Sequence, residues 1–417
     1  MYHLCKQWVK LVLKRLILFC KYFLLFYADD TCVFAESKED MQRALNSFEL
    51  YCDRWKLKVN SAKIKVLIFS KKRINKNNFE FYYKGEKLEI VDEYNYLGLL
   101  FNYNGSFIKA KKKLIEQSQK ALFGVFQRIR NLCIPIDLQL KIYDSLVLPI
   151  LLYSSEIWGF ENLKDIERAH LQFCKSVLKV RKSTPNYMVY GELGRIPIEI
   201  HVKLKMLSFW TRLLYTDKLS SNMYLLLHRL YSYNQINFEW MSFVEKILNE
   251  IGLSYIFMNQ VEVNWTCLKF EIKQRLTDQF IQKWYSDALN SSRGEFYLSF
   301  KKEFKFEPYL TKLNQKSVVW VCKFRTCNIK TPFEVGRWYN VPRDQRSCKL
   351  CTQGIGDEYH YLFECLSDEV VKLRKKYIPT YYINNPNKTK MGGMFSNCHV
   401  QLLGNIAVFI KCLVKLL

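Results

Sequence analysis

The stretch Tyr22–Phe34, which reads YFLLFYADDTCVF, decides the fold of the first part of the chain. Two short apolar runs flank the pair Asp29-Asp30, and this pattern predicts a β-hairpin with two carboxylates at its tip. Metal ions that catalyse phosphoryl chemistry in pairs must be held by carboxylates on rigid backbone. The pair is therefore a candidate catalytic metal site, although a solvated surface turn would have the same sequence.

A helix and further strands follow the hairpin. Ser37 and Asp40 have the spacing of a capping box, which predicts a helix that ends near Lys56. Strands are predicted at residues 63–69 and 96–103, and a second hairpin from residues 79–83 and 87–91. Apolar residues at helical spacing form the predicted buried face of the helix: Met41, Leu45, Phe48, Cys52 and Trp55.

The chain is long and strongly basic. Its 417 residues allow two or three domains with a large core, and its mean hydropathy of −0.16 is typical of a globular protein. Lys and Arg number 64 against 39 Asp and Glu, which gives a formal charge of +25. Residues 51–150 alone carry 19 basic and 9 acidic residues. This excess predicts a polyanionic partner, most simply a nucleic acid; the alternative is a basic protein without a specific partner.

The rest of the chain is predicted to be mostly helical. Its basic residues include the run Lys111-Lys112-Lys113, together with Arg128 and Arg130, all on one predicted helix. These five are candidates for contact with nucleic-acid phosphates, while a solvated helix face is the alternative. Helices are predicted at residues 109–131, 136–159 with a bend at Pro149, 162–180 and 199–215, and a helical pattern continues over residues 220–315.

A cluster of cysteine and histidine has the spacing of a metal site. Cys348, Cys351, His360 and Cys365 form the pattern C-x2-C-x8-H-x4-C. Two thiolates from one turn, with an imidazole and a thiolate from a second segment, can close a tetrahedron around Zn²⁺. A set of four protein ligands leaves no open position, so the spacing predicts a structural zinc site. The alternative is four unlinked residues in a chain that has 14 cysteines.

The N-terminal segment 1–21 has no assigned role. The apolar run from Leu16 to Ala28 is too short to span a membrane, which takes about 20 residues. Cleavage of this run as a signal peptide near Ala28 would sever the acidic hairpin, which argues against a signal peptide. Because the run is also too short to span a membrane, we predict no membrane partner. The cysteines lack the spacing of a secreted disulfide framework, and we expect an intracellular location in the nucleus or the cytoplasm.

Together these motifs resemble those of the reverse transcriptases of non-LTR (LINE-type) retrotransposons. Phe26–Thr31 resembles the palm motif that carries two catalytic acids. Trp55–Lys65 resembles the next palm motif, with Ile64 in place of the usual Thr, and Tyr94–Gly98 resembles a segment near the primer grip. Pro149–Gly159 and Tyr190–Pro197 resemble the thumb and post-thumb of the family. Its zinc-binding segment is resembled by three pieces: Phe324-Arg325, Glu334–Trp338 and Asp357–Cys365.

The resemblance implies an α+β fold. Its first part would be a partial palm, in which a small antiparallel sheet packs with a helix; a helical thumb and a mostly helical region with a small zinc module would follow. The implied domains are an unmatched segment 1–21, the palm 22–105, the thumb and post-thumb 106–215, a helical linker 216–315, the zinc module 316–380, and a tail with a helix, 381–417.

The resemblance also implies residue roles. A complete relative is an RNA-directed DNA polymerase, whose partners are an RNA template and a DNA primer or target. Asp29 would bind Mg²⁺ beside Asp30, and Lys63 or Lys65 would lie near the leaving group. Zn²⁺ would be structural, and zinc segments of this kind bind RNA or DNA.

One departure from the family limits the predicted activity. The family palm carries a third metal-binding Asp on an earlier strand, but none of the 28 residues before Asp29 is Asp or Glu. We therefore expect a truncated and catalytically inactive copy that retains nucleic-acid binding. Three alternatives remain: an active polymerase completed by an upstream exon, a zinc-dependent nucleic-acid-binding module, and a relic with no function.

Overall fold

The computed structural model describes residues 22–129, 131–215, 218–260, 264–396 and 399–417. Within these ranges the chain begins with short strands around one helix and continues almost entirely as helices. The predicted α+β class is therefore confirmed. The segment 1–21 and the candidate residue Arg130 lie outside the described residues.

The strands of the described residues are short. They are β1 Tyr22–Tyr27, β2 Asp30–Ala35, β3 Lys65–Leu67, β4 Tyr82–Tyr83, β5 Glu86–Lys87, β6 Glu89–Val91, β7 Glu93–Tyr96 and β8 Leu99–Asn102. They form four two-stranded sheets. Three are antiparallel hairpins, β1 with β2, β4 with β5 and β7 with β8, whereas β3 pairs with β6 in parallel.

The strand pattern differs from the prediction in extent and in two further places. The predicted strands 63–69 and 79–83 are reduced to Lys65–Leu67 and Tyr82–Tyr83. The predicted strand 87–91 is divided, because β5 closes a hairpin with β4 while β6 pairs with β3. The predicted strand 96–103 begins with a turn, since Leu97 and Gly98 have φ angles of 47° and 82°. Glycine adopts positive φ at little cost, so Leu97-Gly98 forms the tip of the β7–β8 hairpin.

The helix Lys38–Arg54 anchors the core of this β-rich region. Its predicted cap is confirmed, because the Asp40 backbone N–H donates to the Ser37 hydroxyl at 3.0 Å. The helix buries Ala44, Leu45 and Cys52. The core cluster joins Leu45 of this helix to two strand residues, Val66 and Tyr83, and to Phe81 and Leu88 beside the strands.

Trp55 is the exception on the predicted buried face. Its side chain is 61% exposed, because the helix ends at Arg54 and the chain turns at Lys56, which has a φ of 52°. The prediction that Trp55 is a core residue is therefore wrong. The helical spacing of apolar residues continues one residue beyond the end of the helix. Trp55 was therefore included in the predicted buried face although it lies outside the helix.

Most of the remaining described residues are helical, as predicted. The predicted helices 109–131, 162–180 and 199–215 correspond to Ile108–Ile129, Lys164–Leu178 and Ile198–Tyr215. The other α-helices are Ile136–Ile142, Leu148–Leu151, Ser155–Trp158, Asn186–Leu193, Lys218–Ser232, Glu239–Glu250, Ser254–Asn259, Trp265–Leu289, Gly294–Leu298, Tyr309–Lys312, Gln315–Arg325, Pro332–Trp338, Asp368–Tyr377, Thr380–Ile383, Lys388–Ser396 and Val400–Leu416.

The predicted helix 136–159 is not one helix bent at Pro149. A π-helical stretch, Tyr143–Val147, precedes the short helix that contains Pro149. A second interruption follows at Ser154, which has a φ of 54°. Proline is tolerated near the start of a helix, where its missing N–H is not needed. Pro149 itself lies within the short helix Leu148–Leu151, and the two interruptions lie before and after that helix.

The described residues form two compact units that interleave along the sequence. The first contains the residues up to Ser118, Ile150–Leu163 and His201–Lys273, and the second contains Gln119–Pro149, Lys164–Ile200 and Gln274–Leu417. The predicted domains are each one continuous stretch of sequence, whereas each compact unit contains three separate stretches. The boundaries of the predicted domains stay predictions.

No single helix in the described part of the chain has the length and hydropathy to cross a membrane. Lys388–Ser396 and Val400–Leu416 reach that composition only when they are taken together across a bend of 113°.

The second unit is built around a buried ion network. Arg325 and Glu192 are both fully buried, and the Arg325 guanidinium donates to both Glu192 carboxylate oxygens at 3.0 to 3.1 Å. A second carboxylate, that of Glu307, lies 3.0 Å from Arg325 and also pairs with the buried Lys301. The Tyr309 hydroxyl donates to Glu192 at 2.6 Å. Two acids and two bases leave the network neutral, which offsets part of the desolvation cost.

We expect Arg325→Met to lower the free energy of unfolding by about 3–5 kcal/mol, because removal of one partner leaves a buried carboxylate without its counter-charge. Urea denaturation followed by tryptophan fluorescence measures this change. The matched control is Lys388→Met, which removes an exposed pair with Glu295 and should cost less than about 1 kcal/mol. Equal effects of the two substitutions would show that the buried network is not structurally important.

Candidate metal centres

The Asp29-Asp30 pair lies at the tip of the β1–β2 hairpin. The register places Tyr27 opposite Asp30, so Ala28 and Asp29 form a two-residue turn. Ala28 has a φ of 53°, and the primed turns that suit hairpins need positive φ at this position. Such a conformation costs a non-glycine residue about 1 kcal/mol. Both carboxylates are exposed. They belong to consecutive residues, one in the two-residue turn and one at the start of β2.

The β7–β8 hairpin lies within electrostatic range of this tip. Burial, together with the proximity of Cys32 and Asp30, raises the pKa of Tyr96 to about 12. The turn of the same hairpin is held by Tyr153, whose hydroxyl donates to the Leu97 carbonyl at 2.7 Å. A Cβ on Gly98 would lie 3.2 Å from the Tyr153 ring. The segments resembling the primer grip and the thumb are thus in direct contact.

The acidic tip is incomplete as a metal site in the described residues. Among them, Asp29 and Asp30 belong to no group of three or more acidic, His or Cys side chains that could share one ion. Lys63 is exposed on the short 3-10 helix Ser61–Lys63, and its catalytic role stays a prediction. Lys65 pairs with Glu89 at 2.6 Å. The prediction of two carboxylates at a hairpin tip is therefore confirmed, and no third one joins them in the described part of the chain.

The basic residues of the helix Ile108–Ile129 divide into two groups. The Lys111 side chain is buried, where its ammonium lies 3.0 Å from Glu161 and donates to the Asn162 carbonyl at 2.9 Å. Its charge is satisfied inside the protein, so it is not available to a phosphate, and its proposed contact role is corrected. Lys113 is half-buried and reaches toward Asn95. Lys112 and Arg128 are exposed and stay candidates for phosphate contact.

The four predicted zinc ligands converge. One donor atom from each of Cys348, Cys351, His360 and Cys365 lies within 4.8 Å of the others. The sulfur atoms of Cys348 and Cys365 are 3.8 Å apart, and the Cys351 sulfur is 3.3 Å from the His360 Nε2 atom. Sulfur ligands about 2.3 Å from a tetrahedral ion lie about 3.8 Å from each other. The donor set and its spacing therefore fit a tetrahedral metal ion.

Two glycines shape the turn that carries the first two cysteines. Gly354 has a φ of 68°, and its carbonyl accepts from the Cys348 N–H at 3.1 Å. A Cβ on Gly356 would lie 3.1 Å from the Cys348 Cα atom. The Leu350 N–H points at the Cys348 sulfur from 3.4 Å. Backbone N–H groups aimed at a sulfur stabilise the thiolate that a metal requires.

The second pair of donors comes from a tight π-helical turn, His360–Glu364. The His360 N–H donates to the Asp357 carboxylate at 2.8 Å, and the Glu364 carboxylate lies 3.5 Å from Nδ1 of the same imidazole. A carboxylate behind one ring nitrogen directs the other nitrogen toward the metal. At the end of the turn, buried Arg374 donates to the Cys365 carbonyl at 3.1 Å.

The thiols of the cluster differ in acidity. Burial raises the pKa of Cys365 to about 12. Burial acts in the same direction on Cys351, but hydrogen bonds outweigh it and lower the pKa of this thiol to about 6. Metal ligation needs the thiolate form, so binding at this cluster releases protons and weakens in acid.

Several supporting residues were missed in the sequence. The Glu334 carboxylate is fully buried and pairs with Arg293, while Arg346 donates to the Val341 carbonyl at 2.9 Å and packs on Gly336. These residues fix the segment that precedes the cysteines. Isolated charged residues have no periodicity or spacing, so only the fold reveals that they are buried and paired.

We expect the purified chain to carry one equivalent of a tetrahedrally bound metal ion. Cys348→Ser should lose this metal, because three donors cannot close the site. The matched control Cys267→Ser changes an exposed cysteine and should keep the metal. Elemental analysis of the purified variants measures the content. Full metal content in Cys348→Ser would contradict the site.

A second test concerns the carboxylate behind His360. Glu364→Ala should weaken metal binding by about 10–100-fold, because the imidazole loses the group that orients it. Competition with a chromophoric chelator gives the affinity. Glu369→Ala, at an exposed position five residues further on, is the control. Equal losses in the two variants would mean that Glu364 has no orienting role.

Comparison with known proteins agrees with the geometry of the first region. Residues 3–101 match the family described as reverse transcriptase (RNA-dependent DNA polymerase). This range contains the Asp29-Asp30 hairpin and also covers residues 3–21, for which the sequence motifs give no counterpart.

A transposon-derived protein of Caenorhabditis elegans is 29% identical over 137 residues, which are 32% of this chain and 48% of that protein. The chain thus spans about half the length of this relative. Together the two similarities relate the chain to the reverse transcriptases of retrotransposons, with the family match itself lying in residues 3–101.

Proposed function

We propose that this chain is a nucleic-acid-binding protein of a LINE-type retrotransposon that combines a reverse-transcriptase palm with a zinc module, and that it does not polymerise DNA by itself. One observation carries the proposal: the Asp29-Asp30 hairpin lies inside the range that matches the reverse-transcriptase family. The convergent Cys3His donor set supports the LINE-type part, because the sequence around it resembles the zinc segment of those elements.

The absence of polymerase activity is inferred from ligand chemistry. When bound, Mg²⁺ ions activate the primer hydroxyl and neutralise charge on the leaving pyrophosphate. Asp29 and Asp30 would be the ligands, but in the described residues no third acidic side chain joins them. Two neighbouring carboxylates do not fit a two-metal site, so we assign no catalytic step to this chain.

The Cys3His cluster is proposed to hold a structural Zn²⁺. Three sulfurs and one imidazole nitrogen are the donors that zinc prefers, and a set of four protein ligands leaves no position for a substrate. The ion would stabilise the fold around residues 347–365 because it ties two segments together. The requirement for reduced thiols supports a nuclear or cytoplasmic location.

Nucleic-acid binding is the activity that the charge supports. A formal charge of +25 favours association with a polyanion. Exposed Lys112 and Arg128 provide two phosphate contacts on the first long helix. The partners proposed from the family relationship are an RNA template and a DNA primer or target. Each phosphate that is neutralised releases counterions, so binding must depend steeply on salt.

We expect the purified, metal-containing chain to bind a structured RNA with an affinity that falls about a thousandfold between 50 and 200 mM salt, as roughly six phosphate contacts would require. Fluorescence anisotropy across a salt series measures this slope. The double substitution Asp29→Asn/Asp30→Asn should leave binding intact, because these side chains carry negative charge and contact no phosphate directly. Negligible binding at the lowest salt would sink the proposed function.

The catalytic part has a separate test. A primer-extension assay with a primed RNA template, Mg²⁺ and all four nucleotides should give no product with this chain. Extension that disappears in the Asp29→Asn/Asp30→Asn variant would contradict the proposal, because it would mean that the two carboxylates suffice. Extension that persists in that variant would indicate a contaminating polymerase.

A further inference from the structure

An exposed aromatic pair stands at the end of the helix Pro332–Trp338. The Trp338 ring is 45% exposed, and the next residue, Tyr339, is 75% exposed. The guanidinium carbon of Arg181 lies over the Trp338 ring, 4.7 Å from the ring centroid. Single exposed aromatic residues are common on proteins, but two adjacent ones form a contiguous apolar surface of the kind that can bind a ligand. The pair belongs to neither the hairpin nor the metal cluster described above.

The helix that carries the pair is rigidly held. The Thr331 hydroxyl caps it by accepting from the Glu334 N–H, and the Phe333 N–H donates to the Gly356 carbonyl at 3.1 Å. The Glu334 carboxylate is fully buried, with the Arg293 guanidinium at 3.0 Å. A fixed aromatic ring loses little entropy when a ligand stacks on it. The aromatic pair is therefore preorganised.

Arg181 is also fixed in place. Its Nε donates to the Asn328 side chain at 3.2 Å, and its Nη2 donates to the Cys327 carbonyl at 2.8 Å. The remaining Nη1 atom has no hydrogen-bond partner among the residues that the structure describes. A guanidinium held in this way keeps a positive charge against the ring, which strengthens stacking of an electron-rich ligand.

The surrounding charge is positive. Residues 175–182 contain four Lys or Arg and no acidic residue, and residues 330–350 contain five basic and two acidic residues. Lys179 and Lys182 flank Arg181 in the chain, and both are exposed, as are Lys330 and Arg343. A positive surface with open aromatic rings suits a ligand that carries both phosphates and planar bases, which is the composition of a nucleic acid.

We propose that Trp338 and Tyr339, backed by Arg181, form a stacking platform for an unpaired base of a single-stranded nucleic acid. The inference rests on the proposed nucleic-acid-binding function and adds a specific site and strand state to it. Stacking on a protein ring needs a free base face, which a duplex does not provide except at its ends. The platform therefore selects single strands, while the nearby lysines contribute to affinity for any polyanion.

The test compares a fluorescein-labelled 15-nucleotide RNA with a circularly closed duplex RNA, such as a dumbbell, at one salt concentration. Each base that stacks is worth about 1–3 kcal/mol, so Trp338→Ala should weaken single-strand binding about tenfold. It should leave duplex binding and the slope of affinity against salt unchanged, because no charge is lost. Tyr339→Ala should have a smaller effect in the same direction, and Trp338→Phe should restore most of the affinity.

The matched control is Tyr381→Ala. Tyr381 is 68% exposed, and the Lys390 ammonium lies 5.0 Å from its ring centroid, so it is a similar aromatic–cation pair elsewhere in the same unit. It should not change binding to either probe. Metal content, measured for every variant, ensures that the zinc module has not been lost. A 2-aminopurine base in the single strand should be quenched by the wild type and not by Trp338→Ala.

The outcomes separate the two proposals. If the wild type binds neither probe, the nucleic-acid-binding function fails and the platform fails with it. If the wild type binds both probes and Trp338→Ala binds them as well as wild type does, only the platform is overturned. An equal loss on both probes would also overturn it, because selective stacking predicts a loss on the single strand alone.

Discussion

The fully buried pair of Arg325 and Glu192 is the interaction on which the second unit depends. The guanidinium contacts both oxygens of Glu192, one oxygen of Glu307 and the Phe395 carbonyl, so two helices and the non-helical segment that contains Glu307 meet at one side chain. Burial of isolated charges would cost several kcal/mol each. The cost is offset only when every polar atom is paired in one arrangement. The network therefore selects a single way of packing these segments.

Glycine makes this arrangement possible. Gly191 lies next to Glu192, and a Cβ at that position would lie 2.4 Å from the Tyr297 hydroxyl and 3.0 Å from the Trp284 ring. Gly194, with a φ of 58°, ends the helix where the backbone of Phe306 approaches. The motif that resembles the post-thumb of the family is therefore explained by packing: a glutamate to bind the arginine, and glycines to let the neighbouring rings and backbone close around it.

The same principle extends to the metal module. Arg325 ends the helix Gln315–Arg325, and Cys327 and Asn328, two and three residues further on, hold Arg181. A second buried carboxylate, Glu334, then fixes the helix that leads toward the cysteines. A metal ion can tie together only residues that already lie close, because its bonds are about 2.0–2.3 Å long. The buried ion pairs thus bring the cysteine segments into range.

Local signals in the sequence predicted part of this structure well. The Asp-Asp hairpin, the Ser37 cap and the Cys-His spacing are each encoded within about twenty residues, and all three are found as expected. Trp55 was misassigned because the helix ends at Arg54, one residue before it. Lys111 was misassigned because its burial depends on Glu161, a partner 50 residues further along the chain. The Trp338 surface was missed for the same reason, since Arg181 is remote from it in sequence.

Nucleic-acid binding and DNA polymerisation differ in how they respond to the loss of one charged side chain. Electrostatic binding to a nucleic acid is close to a sum over separate phosphate contacts, so burial of Lys111 removes one contribution and leaves the rest. Two-metal catalysis requires all its ligands at once, because an ion with too few carboxylates is neither bound tightly nor positioned for in-line attack. A chain with an exposed Asp29-Asp30 tip, no third acidic partner among its described residues and a large positive charge can therefore keep binding without catalysis. The aromatic platform strengthens this separation, since uncharged rings can favour single strands without any contribution from the acidic hairpin.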